Sequence, residues 1–262
     1  MQVLLDLVTN ATMQAWIWGP IMGVVFGALF AGLTSQPSTG APVTVVQTKN
    51  VFVHNINVNK SSASSSEGMG AVLIAATAGL LFIAWKYAVH VDIIHYWLSA
   101  ALWTILSFSL AIAFVSLLKG QFTSASWLTY LGLPVMFLGG CGYLITAARS
   151  FFPAEATQLA LQYNFINFYT KALSAYGRSF MISHVVGMMI TFVVMMFTGV
   201  ALLHYLALMN QRSIGVLHGF WVFLTRITLF FSGKSWLVLM GTALIVAYLL
   251  IEPWAVPTWI TQ

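Results

Sequence analysis

FMISHVVGMMITFVVMMFTGVALLHYLAL, residues 180–208, contains no Asp, Glu, Lys or Arg. A helix rises 1.5 Å per residue, so about 20 apolar residues cross the ~30 Å hydrocarbon layer of a bilayer. This stretch is long enough to cross with tilt or to project into water. It sets the class of the whole chain, because comparable runs recur at 16–33, 70–89, 93–118 and 126–148. A shorter run at 236–251 ends against Pro253 and Trp254, an interfacial signature. Six crossings follow from these runs.

Composition excludes the alternatives. The chain of 262 residues is 60% hydrophobic and 6% charged, whereas soluble domains carry about 25% charge. The net charge of +5 suits anionic lipid headgroups. No basic patch interleaved with aromatics points to nucleic acid. One cysteine, Cys141, permits neither an internal disulfide nor a cysteine metal cluster within one chain. Residues 1–14 contain Asp6 and no Lys or Arg, so they lack the basic start of a secretory signal, and the first apolar run reads as a retained span.

Residues 214–231 have span length but include Arg226 and, near the start, His218. Two readings stand: an interfacial helix whose Arg226 reaches the headgroups, or a seventh span whose Arg226 faces protein or a watery cavity. The loop charges vote weakly for orientation, with Lys49, Lys60, Lys119, Arg212, Arg226 and Lys234 on one side and Lys86, Arg149, Lys171 and Arg178 on the other.

The chain divides into 1–34 (tail and first span), 35–69, 70–148 (three spans), 149–178 and 179–262. Within 35–69, residues 41–59 (APVTVVQTKNVFVHNINVN) are strand-like, and an isolated hairpin is marginal without a partner. The Ser-rich segment 61–70 is a linker by composition. Within 149–178, Pro153 and Glu155 are helix-start signals. Leu159, Tyr163, Ile166, Tyr169 and Leu173 follow at helical spacing, the pattern of an amphipathic helix lying at the membrane interface or packed on the bundle. The expected fold is therefore an all-α polytopic membrane protein with one strand-like extramembrane segment and one interfacial helix.

Three groups of residues are candidates for function. Gly19, Gly23, Gly27 and Ala31 recur every four residues down one face of the first span, and Ala71, Ala75 and Gly79 repeat the pattern in the second. Small residues let helix backbones approach closely in lipid, where no hydrophobic force presses them together. The pattern serves packing within one subunit and between subunits alike. Lys86, His90, Asp92 and His95 cluster between the second and third spans, either as a solvated loop with polar ends or as a proton relay or buried ion pair. His184 and His204 lie in the fifth span; haem ligation would need facing histidines, and positions 184 and 204, separated by 20 residues, fall on nearly opposite helix faces.

No phosphate loop, HExxH, GxSxG or clustered carboxylate pair is present in the sequence, so neither enzyme chemistry, metal nor cofactor is expected. The expectation is a non-enzymatic subunit of an oligomeric membrane assembly, a pore or part of a secretion or translocation machine. Its partners would be the lipid bilayer, further copies of itself and other membrane subunits, with a bacterial inner membrane as the default location. The alternatives are a monomeric transporter with Arg226, Asp92 and His184 buried on its path, and a redox subunit with haem-ligating histidines.

Overall fold

A computed structural model describes residues 66–118, 127–210, 218–231 and 233–252. The first apolar run with its glycine stripe, and the strand-like segment 41–59, lie outside the described residues. Among those described, the chain is helical and contains no strand. The elements are α1 (Ser66–Val89), α2 (Val91–Leu118), α3 (Leu128–Phe151), α4 (Ala154–Gln162), α5 (Phe165–Asn167 with the π turn Phe168–Ala172), α6 (Ala175–Asn210), α7 (His218–Thr228, continued by the 3-10 turn Leu229–Phe231) and α8 (Lys234–Ile251).

Four helices, α1, α2, α3 and α6, are long and apolar enough to cross a membrane. The pair α7 and α8, bent by 56° at their junction, forms a fifth crossing if counted as one broken span. The bend falls at Gly233, whose φ of 125° is open to glycine and strained for L side chains. Large apolar side chains stand fully outward, among them Ile74, Met136, Phe230 and Val238, a surface that lipid solvates and water does not.

The bundle is organised on α6, the apolar run of 180–208 extended to 36 residues, or about 54 Å. It packs along α8, α3 and α7. Its buried side includes Val185, Met188, Val194, Met195, Leu202 and Leu206, which join Leu138 and Leu144 of α3 and Ile251 of α8 in the main core. Close approach depends on Gly187: a Cβ there would sit 2.8 Å from Ile251 Cγ1 and 3.1 Å from the Ala247 carbonyl oxygen. In α3, Gly142 similarly admits Leu102 of α2, whose Cδ2 would lie 3.0 Å from an added Cβ. The start of α3 is a π turn, with the Leu133 N–H bonded to the Leu128 carbonyl, directly before Pro134. Proline cannot donate to the preceding turn and crowds its carbonyl, and a widened turn relieves that crowding.

The region expected as one amphipathic helix is cut into two pieces. Helix α4 starts after Pro153 with Glu155 in its first turn, as the sequence predicts, but ends at Gln162 with Tyr163 extended. Asn164 then restarts the chain, its side chain accepting a bond from the Asn167 N–H at 3.0 Å. Ser174 caps α6 through the Gly177 N–H at 3.1 Å. Both residues are strong N-cap types, and they override the apolar spacing. Of that spacing, Tyr169 is buried, whereas Tyr163 and Ile166 face outward.

The two pieces form a second, smaller core against the end of α1, built from Ala88, Ala156, Ala160, Phe168, Tyr169 and Met181. Trp85 Nε1–H donates to the Ala160 carbonyl at 3.2 Å, and the Tyr169 hydroxyl donates to the Leu81 carbonyl at 2.8 Å. Helices α1 and α2 meet at the single residue His90 and make few contacts beyond that junction. The C-terminal part of α1 is therefore held, and its N-terminal part stands clear of the other described helices.

Candidate functional site

The cluster Lys86–His95 does not act as one unit. Lys86 is exposed and lies over the Trp85 ring, its Nζ 4.6 Å from the ring centroid. His90 is the exposed turn residue. Asp92, in the first turn of α2 where a negative charge is favoured, pairs with Arg149 of α3 at 3.3 Å. Both side chains are largely exposed, 79% and 66%, so the pair contributes at most about 1 kcal/mol. His95, one turn further along α2, points the other way and is 1% exposed.

His95 meets Tyr87 of α1 and, across it, His184 of α6. The Tyr87 hydroxyl lies 2.6 Å from His95 Nε2 and 3.3 Å from His184 Nε2. Both imidazoles are buried, and Phe152 and Phe180 pack on His184 with ring centroids 5.5 and 5.3 Å away. The proton count is fixed by chemistry. A phenol has one proton to give, so it donates to one imidazole and accepts from the other. With the shorter contact as the donated bond, His95 carries its proton on Nδ1 and His184 carries its proton on Nε2. Of the two buried Nδ1 atoms, the acceptor on His184 has no hydrogen-bond partner, and the donor on His95 lies beside the Ile145 backbone. An orphan of this kind costs about 1–3 kcal/mol, which purely structural polar contacts tend to avoid.

His204 belongs to another contact. Its Nδ1 lies 2.8 Å from the Thr228 hydroxyl, whose own proton goes to the Leu224 carbonyl at 2.7 Å. His204 Nδ1–H is therefore the donor, and the bond fastens α6 to α7. His184 and His204 do not share a site, and His184 faces His95 instead. Among the described residues no group of three His, Cys, Asp or Glu side chains is placed to hold a metal ion.

The reading of Arg226, Asp92 and His184 as jointly buried groups on one path is corrected by their placement. Arg226 and Asp92 are exposed on their helices, Asp92 in its surface ion pair with Arg149 of α3. Only His184 is buried.

Sequence reasoning missed a further pattern. His184, Thr191, Thr198 and Tyr205 recur every seven residues along α6, and all four are buried. Thr191 donates to the Gly187 carbonyl at 2.9 Å, and the Thr198 hydroxyl has no partner. Tyr205 reaches the Ser116 hydroxyl of α2 at 3.4 Å, and Ser116 accepts from the Trp127 indole at 2.8 Å. Polar residues at every seventh position of the run, each end of the series accompanied by a polar neighbour, Ser183 or His204, were the available signal.

The small-residue positions of α1 have a different setting. Ala71, Ala75 and Gly79 are exposed, and a Cβ added at Gly79 meets nothing within 4 Å. Gly187 and Gly142 are consumed by packing within the chain; Gly79 is not used by any described helix. Gly19, Gly23, Gly27 and Ala31 lie outside the described residues. No family model matches the sequence, and neither the curated proteins nor the solved structures contain a match to it.

Proposed function

We propose that this chain is a non-enzymatic integral membrane subunit of an oligomeric assembly, a pore or an inner-membrane part of a translocation machine. In this reading it crosses six times: the apolar run 16–33, α1, α2, α3, α6 and the bent pair α7–α8. The observation that carries the reading is the open flank of α1. Glycine costs a helix about 1 kcal/mol relative to alanine, and in lipid its return comes from close approach of another backbone. Gly79 has no such neighbour among the described residues. The strand-like segment 41–59, which needs a pairing partner, points the same way. A bacterial inner membrane is the proposed setting.

The test is the mass of the purified full chain in lipid nanodiscs, with Gly79→Leu and Gly23→Leu as variants. A leucine at position 79 enters open space, so it leaves the packing of the described helices intact. A discrete oligomer that these variants dissolve supports the assembly. A wild-type monomer overturns it and favours the second reading, a monomeric transporter. That reading is motivated by the two buried histidines that share Tyr87, since ionisable groups inside a membrane mark transport and proton paths.

A further inference from the structure

We propose that Tyr87, His95 and His184 form a proton relay at one end of a transmembrane pathway that follows the buried face of α6 through Thr191, Thr198 and Tyr205. The proposal does not depend on whether the chain assembles.

The relay follows from the hydrogen-bond count. With the 2.6 Å contact taken as the donated bond and the 3.3 Å contact as the accepted one, the resting arrangement has Tyr87 O–H donating to His95 Nε2 and His184 Nε2–H donating to the Tyr87 oxygen. A proton arriving at His184 Nδ1 makes that ring cationic. Its Nε2 proton passes to the Tyr87 oxygen as the Tyr87 proton passes to His95 Nε2, and the His95 Nδ1 proton leaves. One proton has entered and one has left, no electrons have moved, and both histidines have exchanged tautomers. Running the steps backwards only returns the proton, so a second proton in the same direction requires the Tyr87 hydroxyl and both imidazole rings to turn, until His184 again presents an N–H to Tyr87 and His95 an unprotonated nitrogen. This chemistry uses the partnerless Nδ1 of His184 as entry and the Nδ1 of His95, beside the Ile145 backbone, as exit. A tyrosine between two histidines that served only to hold helices together would not need the unpartnered Nδ1 of His184.

The pathway follows from the spacing on α6. From His184 to Tyr205 are three steps of seven residues, about 31 Å along the axis, which matches the ~30 Å hydrocarbon thickness. A straight helix drifts about 20° per heptad, so the four positions stay on one side. Each step of about 10 Å is bridged by water molecules in the proposed path, and the partnerless hydroxyl of Thr198 is their station midway. At the far end, Tyr205, Ser116 and Trp127 continue the polar contacts onto α2 and α3. At the relay end, the nearby charged groups are Asp92 and Arg149, the exposed ion pair at that end of the bundle.

The experiment is proton flux into vesicles of phosphatidylcholine and phosphatidylglycerol that contain the full chain and a trapped pH-sensitive dye, driven by a potassium diffusion potential. Wild type acidifies faster than protein-free vesicles, and Tyr87→Phe and Thr198→Val each slow it by roughly tenfold or more, the equivalent of one lost hydrogen bond. Thr198→Val removes a hydroxyl that bonds to no other group of the described residues, so its thermal melting stays at or above that of wild type. Loss of flux without loss of stability is the signature a structural role does not produce. Wild-type flux equal to that of protein-free vesicles, or variants that conduct like wild type, overturns the proposal. Nitrogen NMR of labelled histidines gives a second reading: opposite tautomers at His95 and His184 are expected, and the same tautomer at both sites overturns the relay.

Discussion

The Tyr87 hydroxyl sits 2.6 Å from His95 Nε2, across the one-residue junction that joins α1 to α2. Because the same hydroxyl reaches His184 on α6 at 3.3 Å, a single oxygen ties three helices at one end of the bundle. Tyr87→Phe removes both bonds and leaves two more imidazole nitrogens without partners. Interhelical hydrogen bonds in membranes are worth about 1 kcal/mol, so a loss of about 1–2 kcal/mol is expected, read as a lower melting temperature in detergent or nanodiscs. An unchanged melting temperature would show that the bonds contribute nothing net.

Two glycines separate internal packing from an open flank. Gly187→Ala places a methyl 2.8 Å from Ile251 Cγ1 and 3.1 Å from the Ala247 carbonyl, where backbone has to move, at a cost of about 1–3 kcal/mol. Gly79→Ala meets nothing within 4 Å, and by helix propensity it gains up to about 1 kcal/mol. Parallel melting curves of the two variants check the opposite signs.

Neutralising Asp92 has a small effect. Its partner Arg149 is equally open to solvent, so Asp92→Asn costs at most about 1 kcal/mol. Any difference from wild type shrinks as salt is raised. A loss of several kcal/mol would mean that this end of the bundle is buried in the working protein.

Tyr169 predicts an alkaline limit to stability. Burial pushes its phenol up to about 12, above the ordinary value of 10, and its O–H is held by the Leu81 carbonyl. The folded chain keeps the proton where the unfolded chain releases it. The contribution is complete below pH 10 and is lost as pH rises from 10 through 12. Melting measured across that window falls more steeply for wild type than for Tyr169→Phe.

Cys141 is buried and directs its thiol towards the Thr191 carbonyl at 3.8 Å. A membrane-impermeant maleimide leaves it unlabelled in the folded protein and reacts once the chain is unfolded in denaturing detergent. Rapid labelling of folded protein would show that the packing between α3 and α6 opens widely enough to admit the reagent.

Class and helix positions were legible without coordinates, because both depend on local properties. The apolar runs at 70–89, 93–118, 126–148, 180–208 and 236–251 recur as α1, α2, α3, α6 and α8 with ends shifted by a few residues. A hydrocarbon layer demands continuous apolar helix of a certain length, and length is read directly from sequence. Where local signals competed, the outcome was harder to read. Asn164 and Ser174 cut the region 149–178 at caps that its apolar periodicity conceals.

The polar residues divide along another line. His95 and Asp92 are neighbours in sequence, yet one is buried against α1 and α6 and the other is open to solvent. His184 finds Tyr87 rather than His204. The sequence by itself determined that this chain is a set of membrane-length helices and which residues are chemically able to carry protons. Only the tertiary structure decided which of them meet. A helix offers every residue a direction, but whether that direction ends in lipid, in solvent or at another side chain depends on neighbours far away along the chain.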